Sequence, residues 1–154
     1  MIRIVKSDSK NEDFILLVKE LDTYQAEMDG DKYSFYSQFN NVETLKHVLI
    51  AYEGNKAIAC GAIRMYDNTT MEVKRMFTLP TYRGKGISGN ILNQLEEWAK
   101  ELGCEKCILE TGKNQSGAIA FYKKMNYSPI PNYGQYKHAE YSLCFEKILT
   151  LNQT

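Results

Sequence analysis

The chain lacks the features that announce a partner in bulk. Its 154 residues hold no run approaching the roughly 20 apolar positions that span a bilayer. Nineteen acidic side chains balance nineteen basic ones, so no net field recruits nucleic acid or an anionic membrane. Histidine is scarce: His47 and His138 stand alone, without the paired spacing of a metal site. Cys104-Glu105-Lys106-Cys107 has knuckle spacing, but a structural zinc needs two further nitrogen or sulfur ligands nearby. Cys60, Cys104, Cys107 and Cys144 are therefore expected to be ordinary buried or half-buried thiols, and no metal is expected. With three prolines, no repeat and no low-complexity tract, nothing reads as a linker, so residues 1–154 are expected to form one domain. A chain of this length buries about 70% of its unfolded surface, enough for a substantial core. Met1-Ile2-Arg3-Ile4-Val5-Lys6 reads as a short alternating strand without the apolar core of a signal peptide, and a cytoplasmic setting is expected.

Against these absences stands a regular alternation of patterns. Phe14, Leu17, Val18, Leu21 and Tyr24 recur at helical steps within residues 11–28, and Gly30 closes that stretch. An aromatic cluster follows at Tyr33, Phe35, Tyr36 and Phe39. Residues 47–52, 56–66 and 70–79 are strand-like and joined by Glu53-Gly54-Asn55 and Asp67-Asn68-Thr69, short turns that imply an antiparallel meander. After Gly86 the period turns helical. Ile87, Ile91, Leu95, Trp98 and Leu102 share one face, while Glu96, Glu97, Lys100 and Glu101 are left for solvent. Glu96 and Lys100 have the favourable i,i+4 order, and Gly103 offers a left-handed helix end. A strand at 106–110, a helix at 115–125 and a last strand at 141–147 complete an α/β order with a mixed, mostly antiparallel sheet flanked by helices.

Between the third meander strand and the next helix lies Arg83-Gly84-Lys85-Gly86-Ile87-Ser88-Gly89. Glycines at the mouth of a helix let backbone N–H groups approach an anion, and the helix dipole favours its charge. The letters fit two nucleotide motifs. Gly84-x-Gly86-x-x-Gly89 spells the dinucleotide fingerprint, with Glu110 ending the next strand where a ribose-binding acid belongs. Arg83-x-x-Gly86-x-Ser88 nearly spells a coenzyme A pyrophosphate loop. Three observations favour the second. Pro80-Thr81-Tyr82-Arg83 separate the strand from the first glycine, a meander precedes the motif, and only 44 residues follow Glu110, too few for a second doubly wound half. On that spelling Gly89 is a helix-packing residue.

Residues 72–127 resemble the core of the GNAT superfamily of acyl-CoA-dependent N-acyltransferases. The resemblance rests on Glu72-Val73-Lys74-Arg75-Met76-Phe77-Thr78-Leu79-Pro80, on Tyr82-Arg83-Gly84-Lys85-Gly86, and on Leu109-Glu110-Thr111-Gly112. It continues through Ala118-Ile119-Ala120-Phe121-Tyr122-Lys123-Lys124-Met125-Asn126-Tyr127. Ser88 stands where the family usually has Gly or Ala.

The resemblance implies that two strands splay apart and admit the pantetheine arm of acetyl-CoA. Backbone groups of Met76, Phe77 and Thr78 would pair with its amides. Arg83, Gly84, Lys85, Gly86, Ile87 and Ser88 would hold the pyrophosphate, and Asn114 or Gln115 would reach the coenzyme. For Lys85 and Lys124, solvated surface lysines are an equal alternative. Glu72 is the candidate base and Tyr122 the candidate acid beside the coenzyme sulfur, since acyl transfer to an amine removes one proton and returns another. An ion pair of Glu72 with Lys74 or Arg75, and plain packing of Tyr122, are the alternatives. Tyr33, Phe35, Tyr36 and Phe39 are candidates for one wall of an acceptor pocket, and Tyr133, Tyr136 and His138 for the other.

The expected reaction is direct acetyl transfer to a primary amine of a small molecule, since no cysteine nucleophile lies within residues 72–89. Acetylation of a protein lysine or N-terminus, a non-catalytic acyl-CoA sensor and a dinucleotide oxidoreductase are the alternatives. Oligomeric state, a homodimer among the options, is not legible in the sequence.

Overall fold

The computed structural model describes residues 1–29 and 44–149. The aromatic cluster at Tyr33, Phe35, Tyr36 and Phe39, together with Gly30, lies outside them. Chain order is β1 (Ile2–Ser7), α1 (Glu12–Asp29), β2 (His47–Glu53), β3 (Lys56–Asp67), β4 (Thr70–Thr78), α2 (Ile87–Glu101), β5 (Lys106–Gly112), α3 (Ser116–Lys124), β6 (Ser128–Ile130) and β7 (Ser142–Ile148). Short 3₁₀ turns sit at Pro80–Tyr82 and Gly134–Tyr136. The seven strands form one sheet in the order β1-β2-β3-β4-β5-β7-β6. Only β4 and β5 run parallel among its pairings. No helix among the described residues is long and apolar enough to cross a membrane.

Alternation along the meander divides the core into two layers. Val48, Ile50 and Tyr52 of β2 point to one face with Cys60, Ala62 and Phe77, where Phe14, Leu17 and Leu21 of α1 cover them. Leu49, Ala51, Ile63, Met71 and Val73 point to the other, beneath Ile91, Leu92, Leu95 and Ala99 of α2 and Tyr122 of α3. Asn11 starts α1 because its side-chain oxygen accepts from the N–H groups of Asp13 at 2.8 Å and Phe14 at 3.2 Å. Gly103, at φ +90°, ends α2 as its pattern predicts. Two backbone bonds seal that end, Cys104 N to Ala99 O and Gly103 N to Lys100 O, both 2.9 Å.

Three expectations for α2 are corrected. Glu96 is buried, not solvated: Tyr127 donates to it at 2.8 Å and Lys147 at 2.9 Å. Lys100 pairs instead with Glu97, one residue closer. The helical period places Glu96 beside the core, and the compensating charge arrives from β7, 51 positions away. Leu102, expected on the apolar face, is exposed because the helix has already ended at Glu101.

Four buried, unpaired thiols match the cysteine expectation. Burial pushes the Cys60 and Cys107 thiols up to about 12 and raises Cys104 as well.

The element that shapes the cleft is a bulge in β4. Cys60 faces Phe77 and Ala62 faces Lys74, so Gly61 alone opposes both Arg75 and Met76. Arg75 adopts φ +58°, a left-handed conformation costly for a residue with a Cβ. The extra residue returns Met76 to the α2 face. There it occupies the space that a Cβ on Gly61 would need, with its sulfur 2.5 Å from that position and Ile91 Cγ2 2.9 Å away. Gly61→Ala is therefore expected to destabilise the protein by about 1–3 kcal/mol through overpacking, read from urea denaturation midpoints.

Candidate active site between the splayed strands

β4 and β5 pair at only three positions, Thr70 with Lys106, Met71 with Cys107 and Glu72 with Ile108. Beyond Glu72 the strands part, and a cleft of about 700 Å³ opens between them. Its walls are β4 from Glu72 to Thr78, the loop and first turn of α2, the end of β5 with Glu110, Thr111 and Gly112, and one face of α3 including Tyr122. Leu21, Tyr24 and Gln25 of α1 and Tyr136 and Tyr141 before β7 close the remaining side.

The glycine loop is built for an anion. Gly84 and Gly86 both sit at φ +79°, and a Cβ at either would meet nothing within 4 Å. Gly86 caps α2 with no side-chain hydrogen bond, and no acidic residue occupies the first turn. Helical N–H groups at such a start have no partner within the helix and carry the positive end of its dipole. Arg83 folds back so that its Nε donates to the Thr78 carbonyl at 3.0 Å. Its guanidinium lies 5.1 Å from the Tyr24 ring centre and 5.8 Å from that of Phe77. Stacking fixes the plane of the head group at the cleft mouth. The Thr78 and Ser88 hydroxyls, 2.6 Å apart, pin the strand end to the helix start. Ser88, the family-atypical letter, thus has a structural partner.

At the opposite end the polarity reverses. Glu72 is 2% exposed, and both of its oxygens accept bonds: Oε1 from Arg64 Nε at 3.1 Å and Oε2 from the Tyr133 hydroxyl at 2.6 Å. Arg64 is thus its ion-pair partner among the described residues. Arg75 instead reaches Asp22 of α1 at 3.0 Å. Glu110, on the other arm of the cleft, accepts from Ser142 at 2.6 Å. Tyr122 of α3 also lines the cleft. Its ring packs on Phe121 and Tyr127, and no hydrogen bond to its hydroxyl is recorded among the described residues. Burial, then the charge of Glu110, push its phenol well above the ordinary range, so it keeps its proton at neutral pH.

Most of the sequence-predicted residues converge here. Glu72, Met76, Phe77, Thr78, Arg83, Gly84, Gly86, Ile87, Ser88, Asn114, Gln115 and Tyr122 all line the cleft, as does Lys124. Lys85 does not; it is exposed, with Nζ 5.2 Å from the Tyr82 ring centre. Asn114 lines the wall while its amide donates to Met28 O at 2.8 Å, tying the loop before α3 to the end of α1. Of the three residues expected at the other wall, Tyr136 lines the cleft, whereas Tyr133 does not and His138 is exposed and outside the lining. Sequence reasoning missed Arg64 as the partner of Glu72. The signal was present: counting outward from the Asp67-Asn68-Thr69 turn puts Arg64 directly across from Glu72.

Residues 13–127 match the model of the acetyltransferase (GNAT) family. The chain belongs to the GNAT family. It is an acyl-CoA-dependent N-acetyltransferase by that membership. An "IAA acetyltransferase" of Azospirillum brasilense is 32% identical over 154 residues, covering 96% of this chain and 98% of its own. A putative acyl-CoA N-acyltransferase from Klebsiella pneumoniae superposes with a TM-score of 0.82 at 27% identity, covering 97% of this chain and 99% of the other. The PaiA N-acetyltransferase from Thermoplasma acidophilum, solved in complex with coenzyme A, shares the fold with a TM-score of 0.71 at 21% identity, covering 96% and 99%.

The two αL glycines and Gly89 separate cleanly in this GNAT acetyltransferase. Gly86→Ala is expected to cost about 1–2 kcal/mol from the left-handed backbone alone. Gly89 lies inside α2, and a Cβ there would meet Met125 at an ordinary 3.7 Å. Gly89→Ala should be neutral or stabilising by up to about 1 kcal/mol. Urea midpoints of the two variants give the comparison.

Proposed function

We propose that this enzyme moves the acetyl group of acetyl-CoA directly to a primary amine of a small molecule. The observation that carries the reading is the early end of the β4–β5 pairing. Past Glu72 the facing edges of both strands lack a strand neighbour, which suits an extended, amide-bearing chain that bonds as an added strand would. The residues present fit such a ligand. Backbone groups of Met76 and Phe77 would meet the pantetheine amides, and the α2 N-terminus with Gly84, Gly86, Ile87, Ser88 and Arg83 would hold the pyrophosphate. Thr78 contributes by fixing the loop, since its carbonyl and hydroxyl are already engaged. Asn114 and Gln115 flank the same wall. When bound, acetyl-CoA supplies an acetyl group activated as a thioester.

The chain's own residues then divide the proton work. A carboxylate offers about four acceptor sites. Arg64 and Tyr133 use two of those on Glu72, so two remain for an incoming ammonium group or the water that relays its proton. Tyr122, buried and protonated, keeps its hydroxyl available to donate to a departing sulfur. Backbone N–H beside the αL Arg75 suits a developing oxyanion, because the bulge frees it from regular pairing. Glu72 and Glu110 at the acceptor end favour a cationic acceptor over an anionic one.

Saturating acetyl-CoA or CoA is expected to raise thermal stability, by about 2.7 kcal/mol at one hundred times Kd, while NAD and NADP leave it unchanged. Stabilisation by NAD alone would overturn the assignment. Tyr122→Phe should lower kcat about 100-fold, followed as free thiol release across an amine panel, while retaining the CoA-induced thermal shift. Unchanged turnover in that variant removes Tyr122 from the chemistry.

A further inference from the structure

We infer that Tyr133 is a positioning residue for Glu72: the segment 131–141 delivers its hydroxyl to one carboxylate oxygen and so fixes how the carboxylate is turned in the cleft. The inference rests on the reading of Glu72 as the proton acceptor.

Tyr133 comes to Glu72 from 61 positions away, and its 2.6 Å bond is among the shortest around the site. It does not itself line the cleft, so its contact is with the carboxylate and not with a substrate. A carboxylate buried to the extent of Glu72 is costly unless its charge is matched by donors. Arg64 supplies one from β3 and Tyr133 the other, one per oxygen, which fixes the plane of the carboxylate. Burial and then the Glu72 charge push the Tyr133 phenol far up, so it acts as a donor throughout the working range of pH.

The segment that carries Tyr133 is braced for this task. Asn132 Nδ2 donates to Ala139 O at 3.1 Å and to Ser142 O at 3.2 Å, clamping the segment across its base. Tyr136 N bonds back to Tyr133 O at 2.8 Å. Tyr66 meets the Tyr133 ring edge-on at 5.2 Å, and Tyr136 does so at 5.7 Å. Gly134 sits at φ +50°, and a Cβ there would lie 3.3 Å from the Tyr66 ring. Among the described residues, the charged and titratable groups around Glu72 are Arg64 from β3, Lys74 from β4, Glu110 from β5, Tyr133 and Tyr136 from the segment and Cys144 from β7. Tyr136 feels both carboxylates, so the segment faces Glu110 as well.

The test is an NMR titration of the glutamate carboxyl carbons in the intact protein, with the Glu72 signal identified by its loss in Glu72→Gln. Tyr133→Phe should move the Glu72 midpoint upward by about one unit, because a donor to the charged form is lost. Asn132→Ala keeps the phenol but releases the clamp, and should move the midpoint the same way by less. An unmoved midpoint in both folded variants overturns the inference. Full amine acetylation by Glu72→Gln would instead overturn the base reading, which makes the two failures distinguishable.

Discussion

Everything distinctive in this molecule follows from a parallel strand pair that stops too soon. Backbone amides and carbonyls in a sheet interior must find partners, and the ordinary solution is another strand. Here β4 and β5 share three positions and then diverge, so two strand edges face each other across a gap. The gap is kept open from both sides. β7 pairs with β5 along its full length from Lys106 to Gly112, and the bulge at Arg75 bends β4 while β3 stays attached. Gly61 makes that bend affordable in steric terms by yielding its side-chain volume to Met76.

Along the open edge, charge runs in one direction. Glu72 stands where the strands part, and Arg83 with the α2 N-terminus stands where β4 ends. A single strand and its loop therefore carry Glu72 and Arg83 about ten residues apart in sequence, and Tyr122 lines the same cleft. α1 is fastened to this axis at two points, through Asp22 to Arg75 and through Met28 to Asn114. The helix that covers one face of the sheet thus also closes the site, which explains why the cleft belongs to both core layers at once.

Much of this was legible in the residues. Alternation and two polar turns located the meander, helical spacing located α1 and α2, and the four-residue offset of the loop separated coenzyme A from dinucleotide chemistry. The family pattern brought Glu72, Arg83 and Tyr122 to one cleft. What could not be read depends on contacts between distant parts of the chain. Arg75 takes a left-handed conformation that glycine or asparagine usually signals, so its bulge left no local mark. β6 has three residues, one of them Pro129, too few to show a period. Glu96 looked solvated because its partners Tyr127 and Lys147 come from other elements. Tyr133 read as a pocket wall because its bond to Glu72 crosses 61 positions.

The buried cysteines acquire a further meaning beside an enzyme whose reaction liberates a thiol at every turnover. Thiol–disulfide exchange needs an accessible sulfur and an attacking thiolate. Cys60 and Cys107 offer neither, being enclosed and held protonated near a pKa of about 12. Cys104 is buried beside Met65, its sulfur 3.5 Å away, and Cys144 is enclosed between β5 and β6. The fold thereby insulates its own sulfur chemistry from that of its product, so that oxidised coenzyme has no foothold for a mixed disulfide on the native chain.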